Sequence, residues 1–334
     1  MSTAAFGDIE TRLRAFVEAQ LPEAEGLQIE DLRRRSSGLS RENWVFDAAW
    51  KDDAGAHREE LIMRRDPVGS VLETDRRVEF AVLQALESSA VPAPRVRWLD
   101  PDGEWLGRPS VVMRREPGEC EYFVLNGDRP LGRRVAIARR YCDLLAAIHT
   151  VDWRSRGLAS SLPDPGPEGA AHSALDHWEG ELRRHQLEPH PELELILAWL
   201  RAHAPIAQAI VLVHGDFKPG NALMRGDEVG VILDWETAHL GDPLEDIGWV
   251  TNPVRAREHL IPGAWERADL FARYEERTGF HVDPEAVRWW NVLANYKLSV
   301  ITLTGVDAYV DGRFDRAHQV PVGLFRVMFE MTAT

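Results

Sequence analysis

Four polar side chains in segment 210–236, IVLVHGDFKPGNALMRGDEVGVILDWE, have the types and spacing for magnesium-dependent chemistry. Asp216 can accept a proton from a hydroxyl group, and Lys218 can neutralise charge on a transferring phosphoryl group. Asn221 and Asp234 offer the oxygen ligands that Mg²⁺ uses when it also binds substrate phosphates. We therefore predict Asp216 and Lys218 as catalytic residues and Asn221 and Asp234 as metal ligands.

Two apolar runs, Ile210–Val213 and Val229–Leu233, flank this polar segment and indicate strands that hold it rigidly. A polar hairpin in which Asp and Asn only make turn hydrogen bonds is the alternative. Four such residues at this spacing favour the catalytic interpretation.

The string HGDFKPGN at 214–221, followed by ILDWE at 232–236, resembles the paired signature of the aminoglycoside phosphotransferase-like kinases. This family of small-molecule kinases belongs to the same wider group as choline kinase. Its Asp-x-x-x-x-Asn spacing is also that of the protein-kinase catalytic loop. The resemblance covers about 28–305 and implies ATP or GTP as donor, Mg²⁺ as cofactor and a small-molecule hydroxyl as acceptor. It also implies that Asp246 ties the catalytic loop in place.

The resemblance implies a nucleotide site as well. The segment 36–43, with Ser40, takes the place of the glycine-rich loop, and Met113 and Arg115 lie in the segment expected to contact the base. Arg64 stands where classical kinases have lysine. Its expected partner is Glu79, because a carboxylate on an apolar helix stripe needs a cation nearby. Lysine is scarce in this chain, with Lys51, Lys218 and Lys297 the only three.

Hydrophobic periodicity predicts an α+β fold with two lobes, and the resemblance implies that this fold is protein-kinase-like. A β-rich amino lobe with a leading helix is expected over 1–113, a hinge over 114–118, and a mainly helical carboxyl lobe over 119–334. The predicted strands are 43–50, 60–64, 95–99 and 109–113. The predicted helices are 1–20, 72–88, 131–148, 174–204, 264–278, 284–303 and 313–331, with a loop at 159–170.

Charge and composition exclude several classes of protein. The 334 residues carry 54 acidic and 39 basic side chains, a net charge of −15, which disfavours a nucleic-acid partner. No apolar stretch reaches the length of a membrane span, and the amino end does not look like a secretion signal. We expect a cytoplasmic monomer or homodimer. Segment 160–200 holds eight acids against two arginines, which is either a solvated face or an attraction for a cationic acceptor.

The function predicted is therefore phosphoryl transfer from ATP or GTP to a small-molecule hydroxyl. A non-catalytic nucleotide-binding regulator with a kinase-like fold is the first alternative, motivated by Arg64 and the glycine-poor loop. A metal-dependent hydrolase built on His214, Asp216 and Asp234 is the second, although no His-Glu-x-x-His pattern supports it. A protein kinase is disfavoured because no activation segment ending in Ala-Pro-Glu is present.

Overall fold

The computed structural model describes residues 3–35, 42–67, 75–314, 319 and 321–333. Ser40, predicted to contact nucleotide, lies outside these residues. The amino-terminal part contains a five-stranded antiparallel sheet in the order β1-β2-β3-β5-β4. Its elements are α1 (Thr3–Gln20), β1 (Glu25–Arg35), β2 (Glu42–Asp52), β3 (Gly55–Arg65), α2 (Arg76–Leu86), β4 (Val96–Asp100) and β5 (Ser110–Arg114).

The two faces of this sheet have different neighbours because side chains alternate along each strand. One face carries Trp44, Phe46 and Leu61, which are buried against Leu13 and Phe16 of α1. The leading helix α1, as predicted, therefore packs on this face and buries its apolar side chains.

The opposite face carries Arg64 and Met113. In the strand register Arg64 is paired with Val111, and Ile62 with Met113, so all four side chains point to the same side. This face is turned toward α2 and the carboxyl-terminal part, and Val111 and Met113 join the main hydrophobic core there.

The carboxyl-terminal part is mainly helical, with two small sheets that carry the polar segment. Its helices are α3 (Leu131–His149), α4 (Gly166–His185), α5 (Pro191–Ala202), α6 (Pro243–Val250), α7 (Ala256–His259), α8 (Arg267–Thr278), α9 (Pro284–Val310) and α10 (Val322–Thr332). Its strands are β6 (Glu119–Cys120), β7 (Val211–Val213), β8 (Ala222–Arg225), β9 (Glu228–Ile232) and β10 (His239–Gly241). The strands form the sheets β6-β8-β9 and β7-β10.

The predicted α+β fold, with a β-rich amino part and a helical carboxyl part, is confirmed. No helix in the described ranges is both long and apolar enough to cross a membrane.

Several local predictions differ from the structure. Strand β1 was not among the predicted strands, and the predicted helix 174–204 is two helices, α4 and α5, separated by residues 186–190. The predicted loop 159–170 ends early, because α4 already begins at Gly166 with Pro167 in its first turn, where proline is well tolerated. The sequence analysis also missed α6. Asp242 caps this helix by accepting a hydrogen bond from the Leu244 amide at 2.8 Å, and Pro243 follows it. That Asp-Pro pair is a recognisable helix start.

Helix α6 crosses α9 very closely, at Gly248 and Trp290. A Cβ atom built on Gly248 would lie 2.4 Å from the Cβ of Trp290, which is closer than carbon atoms can approach. Glycine at this position therefore sets the distance between the two helices.

We expect Gly248→Ala to lower the free energy of unfolding by about 1–3 kcal/mol, the usual cost of overpacking a core. Gly180→Ala in α4 is the matched control, since its Cβ would meet nothing within 4 Å. Alanine there should raise stability by roughly 0.5–1 kcal/mol through helix propensity. Urea denaturation measures both, and a stabilised Gly248→Ala variant would contradict the close crossing.

Candidate active site

The loop between β7 and β8 brings together three of the predicted site residues. The Asp216 Oδ2 atom accepts hydrogen bonds from Lys218 Nζ at 2.5 Å and from Asn221 Nδ2 at 2.8 Å. Asn221 Nδ2 also donates to the Asp216 carbonyl at 3.0 Å. The other carboxylate oxygen, Oδ1, accepts no hydrogen bond from the described residues. Asp216 is thus held in place by one oxygen and can receive a proton at the other.

His214 is a structural residue of this loop. Its Nε2 donates to the Leu233 carbonyl at 3.0 Å, so Nδ1 is left to accept the Asp216 amide at 3.2 Å. Burial lowers the pKa of His214, which keeps the ring neutral for this arrangement. The Leu233 amide also donates to the Asn221 carbonyl at 2.7 Å. Both contacts tie the loop to the residue that precedes Asp234.

The carboxylate of Asp246 fixes this loop through hydrogen bonds to its backbone. It accepts the backbone amides of His214 and Gly215 at 2.7 and 2.9 Å, and His149 Nε2 lies 3.1 Å away. Burial opposes the charge, but the hydrogen bond and charge of His149 outweigh it and lower the pKa of Asp246 to about 2. Tyr274 extends the network, with its hydroxyl 2.5 Å from His149 Nδ1.

Gly215, next to Asp216, has a backbone conformation that only glycine fits. Its φ is +80°, and a Cβ atom there would lie 2.8–2.9 Å from the Oγ1 and carbonyl oxygen of Thr237. The glycine lets the loop turn sharply enough for both amides to reach Asp246.

Arg64 joins three elements at the other side of the site. Its Nη1 lies 2.9 Å from Glu79 Oε1 on α2, and its Nη2 lies 2.8 Å from Asp234 Oδ1 after β9. The predicted contact between Arg64 and Glu79 is present. Burial would raise the pKa of Asp234, yet the charge of Arg64 and its hydrogen bond lower it, so the carboxylate stays ionised.

A second arginine, which sequence reasoning missed, shares Glu79. Arg76 is 1% exposed, contacts Glu79, and its Nε lies 2.8 Å from Asp66 Oδ1. Its position three residues before Glu79 on α2 could have indicated the pair. Glu236 lies 3.6 Å from Arg76 Nη2.

This cluster contains more carboxylates than cations. Burial, and then the charge of Asp234, raise the pKa of Glu236 to about 8. Burial and the charge of Glu79 raise the pKa of Asp66 to about 6. Burial is the first cause of both shifts and a neighbouring carboxylate is the second, so a cation bound here would stabilise the ionised forms of these side chains.

The donor atoms present also fit Mg²⁺. Asn221 uses its amide nitrogen on Asp216, so its Oδ1 has no hydrogen-bond partner in the described parts of the chain. Asp234 has the left-handed backbone conformation φ 68°, ψ 55°, which is rare for any residue except glycine and typical of strained functional positions. Asn221 immediately precedes β8 and Asp234 follows β9, so the hairpin of these two strands brings together two oxygen ligands of the kind that Mg²⁺ prefers.

Met113 and Arg115 lie farther along the same face of the sheet as Arg64. Met113 is paired with Ile62, and the Arg115 amide donates to the Glu60 carbonyl at 2.9 Å. The Arg115 guanidinium lies 3.0 Å from Asp47 and 2.7 Å from Glu60, and these two carboxylates hold it away from the catalytic loop. The middle of this sheet face is therefore apolar, with Arg64 toward one end and Arg115 toward the other.

Comparison with known proteins identifies the architecture. A model of the phosphotransferase enzyme family matches residues 31–290. Mouse acyl-CoA dehydrogenase family member 10 is 33% identical over 196 residues, 57% of this chain and 18% of that protein. Rat acyl-CoA dehydrogenase family member 11 is 28% identical over 272 residues, 76% of this chain and 34% of that protein. The chain thus spans about a fifth of the first relative's length and about a third of the second's.

Solved structures share the fold. A candidate aminoglycoside phosphotransferase from Ralstonia eutropha superimposes with a TM-score of 0.70 at 22% identity, covering 97% of this chain and 95% of the other. Macrolide 2′-phosphotransferase MphH from Brachybacterium faecium gives 0.56 at 22% identity over 89% and 92%. The streptomycin–ATP–APH(2″)-IIa ternary complex gives 0.56 at 16% identity over 86% and 88%.

We expect Asp246→Asn to lower the free energy of unfolding by about 3 kcal/mol at pH 7, because buried hydrogen bonds to a charged acceptor are lost. The folded pKa of Asp246, about 2, lies below its ordinary value of 3.8. Its contribution is therefore complete above pH 4 and lost as the pH falls toward 2. Denaturation at pH 7, 4, 3 and 2 should show that the difference in unfolding free energy between wild type and variant becomes smaller as the pH falls. A difference that stays constant across this range would contradict the anchoring role.

Proposed function

We propose that this chain, which belongs to the phosphotransferase enzyme family, transfers the γ-phosphoryl group of ATP or GTP to a hydroxyl of a small molecule with Mg²⁺. The observation that carries this proposal is the arrangement of Asp216. One of its oxygens is fixed by Lys218 and Asn221, and the other is available to a hydroxyl group.

The reaction uses each residue of the loop for one task. The acceptor hydroxyl gives its proton to Asp216 Oδ1 while its oxygen bonds to the γ-phosphorus. The bond from that phosphorus to the bridging oxygen breaks, and the nucleoside diphosphate leaves with the bond electrons. Lys218, whose Nζ lies 2.5 Å from Asp216, supplies positive charge beside the transferring group.

The nucleotide lies on the sheet face that carries Arg64, with the base near Met113, Arg115 and the hinge 114–118. Arg64, oriented by Glu79, contacts the phosphates, and Ser40, which lies outside the described residues, stays a predicted nucleotide contact. Arginine suits this task because its planar fork serves two acceptors at once and cannot lose its charge. The hinge divides the nucleotide-binding lobe, 1–113, from the acceptor-binding lobe, 119–334.

Asn221 and Asp234 would hold Mg²⁺, which supplies neutralisation of phosphate charge when it is bound. Asp234 is already ionised beside Arg64, so it needs no proton loss to serve as a ligand. The excess of carboxylates around Arg64 and Arg76 supports the same assignment.

Two features argue against the rival functions. A nucleotide-binding regulator has no need of a base, a phosphate cation and a metal ligand in one loop, with a second metal ligand after the adjoining β9. A hydrolase would need His214 as a ligand or base, but both ring nitrogens of His214 are engaged with the backbone. The coarse activity, phosphoryl transfer to a hydroxyl, is also what the family description and the fold support.

The similar proteins give two different hints about the acceptor. The solved structures are named for aminoglycosides and macrolides, whereas the sequence relatives are named for acyl-CoA dehydrogenases. We therefore propose only that the acceptor is a small molecule with a hydroxyl group. We also propose that the enzyme is a cytoplasmic monomer or homodimer.

We expect Asp216→Asn to lower kcat by about 10²–10⁴-fold, because the proton acceptor is removed. Nucleotide affinity should be nearly unchanged, since Asp216 does not contact the nucleotide in this arrangement. Steady-state nucleotide consumption and calorimetric nucleotide binding measure the two effects.

The control is Asp53→Asn, which makes the same chemical change in an exposed turn of the sheet. It should leave both quantities unchanged. A well-folded Asp216→Asn protein with wild-type kcat would exclude Asp216 as the base.

A further inference from the structure

One arginine of the carboxyl-terminal part binds the end of α2, the helix that carries Glu79. Arg156 lies in the connection between α3 and α4. Its Nη1 donates to the Ala85 carbonyl at 2.8 Å and to Ser88 Oγ at 2.7 Å. Its Nη2 donates to the Ser88 carbonyl at 3.1 Å. A single guanidinium thus makes three hydrogen bonds between the carboxyl-terminal part and the end of α2.

These bonds complete the cap of α2. The last carbonyls of a helix have no partner within the helix, and the negative end of the helix dipole lies there. Ser89 donates to the Leu86 carbonyl with its amide at 2.9 Å and with its hydroxyl at 2.8 Å. The Ala85 carbonyl, one residue earlier, accepts from Arg156 instead. The cation therefore satisfies a terminal carbonyl and interacts favourably with the dipole.

The segment that carries Arg156 is itself fixed. Trp153 is 4% exposed, and its Nε1 donates to the Ile210 carbonyl at 2.9 Å. Ile210 directly precedes β7, the strand that leads into the catalytic loop. The amide of the buried Leu158 donates to the Trp153 carbonyl at 3.1 Å. The position of Arg156 is therefore set by the strand that also positions Asp216.

The apolar side of α2 is attached to the same part of the molecule. Val82, Leu83 and Leu86 are buried in the main core with side chains of the carboxyl-terminal helices. The core between the sheet and α1 is a separate one. After α2, the Pro92 carbonyl accepts the Ile232 amide of β9 at 2.8 Å. Helix α2 precedes β4 in the sequence, yet it is held by the carboxyl-terminal part.

These contacts link Arg156 to the phosphate side of the site. Glu79 contacts Arg64, and Arg64 contacts Asp234. Glu79 lies six residues before Ala85, which is about 9 Å along the helix axis. In protein kinases the position of this helix decides whether the corresponding ion pair forms. Here the hydrogen bonds of Arg156 and the buried side of α2 oppose movement of the helix.

We propose that Arg156 is a positioning residue of the nucleotide site. By fixing α2 it keeps Glu79 and Arg64 in the arrangement that receives the phosphates before the nucleotide binds. A site that is ordered in advance binds its ligand with less loss of conformational freedom. The hydrogen bonds of Arg156 in the described structure all go to Ala85 and Ser88, so its effect passes through the helix. This inference rests on the proposed phosphotransferase activity, whose donor is the nucleotide.

The test measures nucleotide binding by Arg156→Met, which keeps an unbranched apolar stem but removes the donors. Calorimetry with non-hydrolysable analogues of ATP and GTP in the presence of Mg²⁺ gives Kd, and basal nucleotide hydrolysis gives kcat. We expect Kd to rise about 3–30-fold, the range for a residue that acts through a packed network. The change in kcat should be smaller, because Arg156 does not contact the catalytic loop.

The matched control is Arg154→Met, in the same segment. The Arg154 guanidinium lies 3.9 Å from the Trp153 ring centre and pairs with Asp164 at 3.3 Å, so it does not hold α2. This variant should bind nucleotide as wild type does. Arg156→Lys should raise Kd less than Arg156→Met, because one ammonium group cannot replace the planar fork. Ser88→Ala removes one acceptor at an exposed position and should also have a smaller effect.

A second measurement asks whether the effect passes through Glu79. In Glu79→Gln the ion pair with Arg64 is already lost, so adding Arg156→Met should raise Kd by a smaller factor than it does in wild type. A role in global stability alone gives a different result. It would lower the melting temperature of Arg156→Met and leave the Kd of the folded protein unchanged.

An unchanged Kd in folded Arg156→Met would overturn the inference. If that variant does not fold, an unchanged Kd in both Arg156→Lys and Ser88→Ala would do so. Equal factors in the presence and absence of Glu79 would also contradict it. Failure of the proposed function looks different, because wild type would then bind no nucleotide or would bind it without any turnover.

Discussion

The pairing of one largely buried guanidinium, 15% exposed, with two carboxylates determines how the parts of this molecule meet. Arg64 comes from β3, Glu79 from α2 and Asp234 from the hairpin after the catalytic loop, and both contacts are shorter than 3 Å. Neither lobe alone satisfies all three groups. Removing one member of such a buried set costs about 3–5 kcal/mol, because the charges that stay behind are uncompensated. The cleft between the lobes therefore forms where this arginine can reach both acids.

Different interactions stabilise the two sides of the cleft. The loop that carries Asp216 is fixed by a buried hydrogen-bond network in which the ionised carboxylate of Asp246 accepts two loop amides and contacts a buried histidine. The other side, where we propose that the phosphates and Mg²⁺ bind, has an excess of carboxylates around Arg64 and Arg76, with raised pKa values for Asp66 and Glu236. The first side positions Asp216 rigidly, and the second is the side whose charge a bound cation would compensate.

The site residues that could be predicted from the sequence are those that lie close together in the chain or follow a recognisable pattern. The spacing of Asp216, Lys218 and Asn221 lies within one loop, and the contact of Arg64 with Glu79 follows from a lone carboxylate on an apolar stripe. Sequence reasoning could not find groups that meet only after folding. Arg156 lies 71 residues from its hydrogen-bond partner Ala85, and no pattern in the sequence places it at the end of α2. Helix α6 was missed because it is short and almost wholly buried, so it lacks the amphipathic periodicity that marked α3.

The most direct test of this account is a double-mutant cycle of Arg64→Met and Glu79→Gln, with unfolding free energy and nucleotide affinity as the two readouts. The salt bridge of Arg77 with Asp102, at the exposed start of α2, is the control pair. We expect a coupling of about 2–3 kcal/mol for the Arg64–Glu79 pair and a much smaller one for the exposed pair, because solvent screens its charges. Nucleotide affinity should fall in both Arg64→Met and Glu79→Gln, and it should be unaffected in the control variants. Coupling no greater than that of the exposed pair, with nucleotide affinity intact, would contradict the placement of the nucleotide site at Arg64.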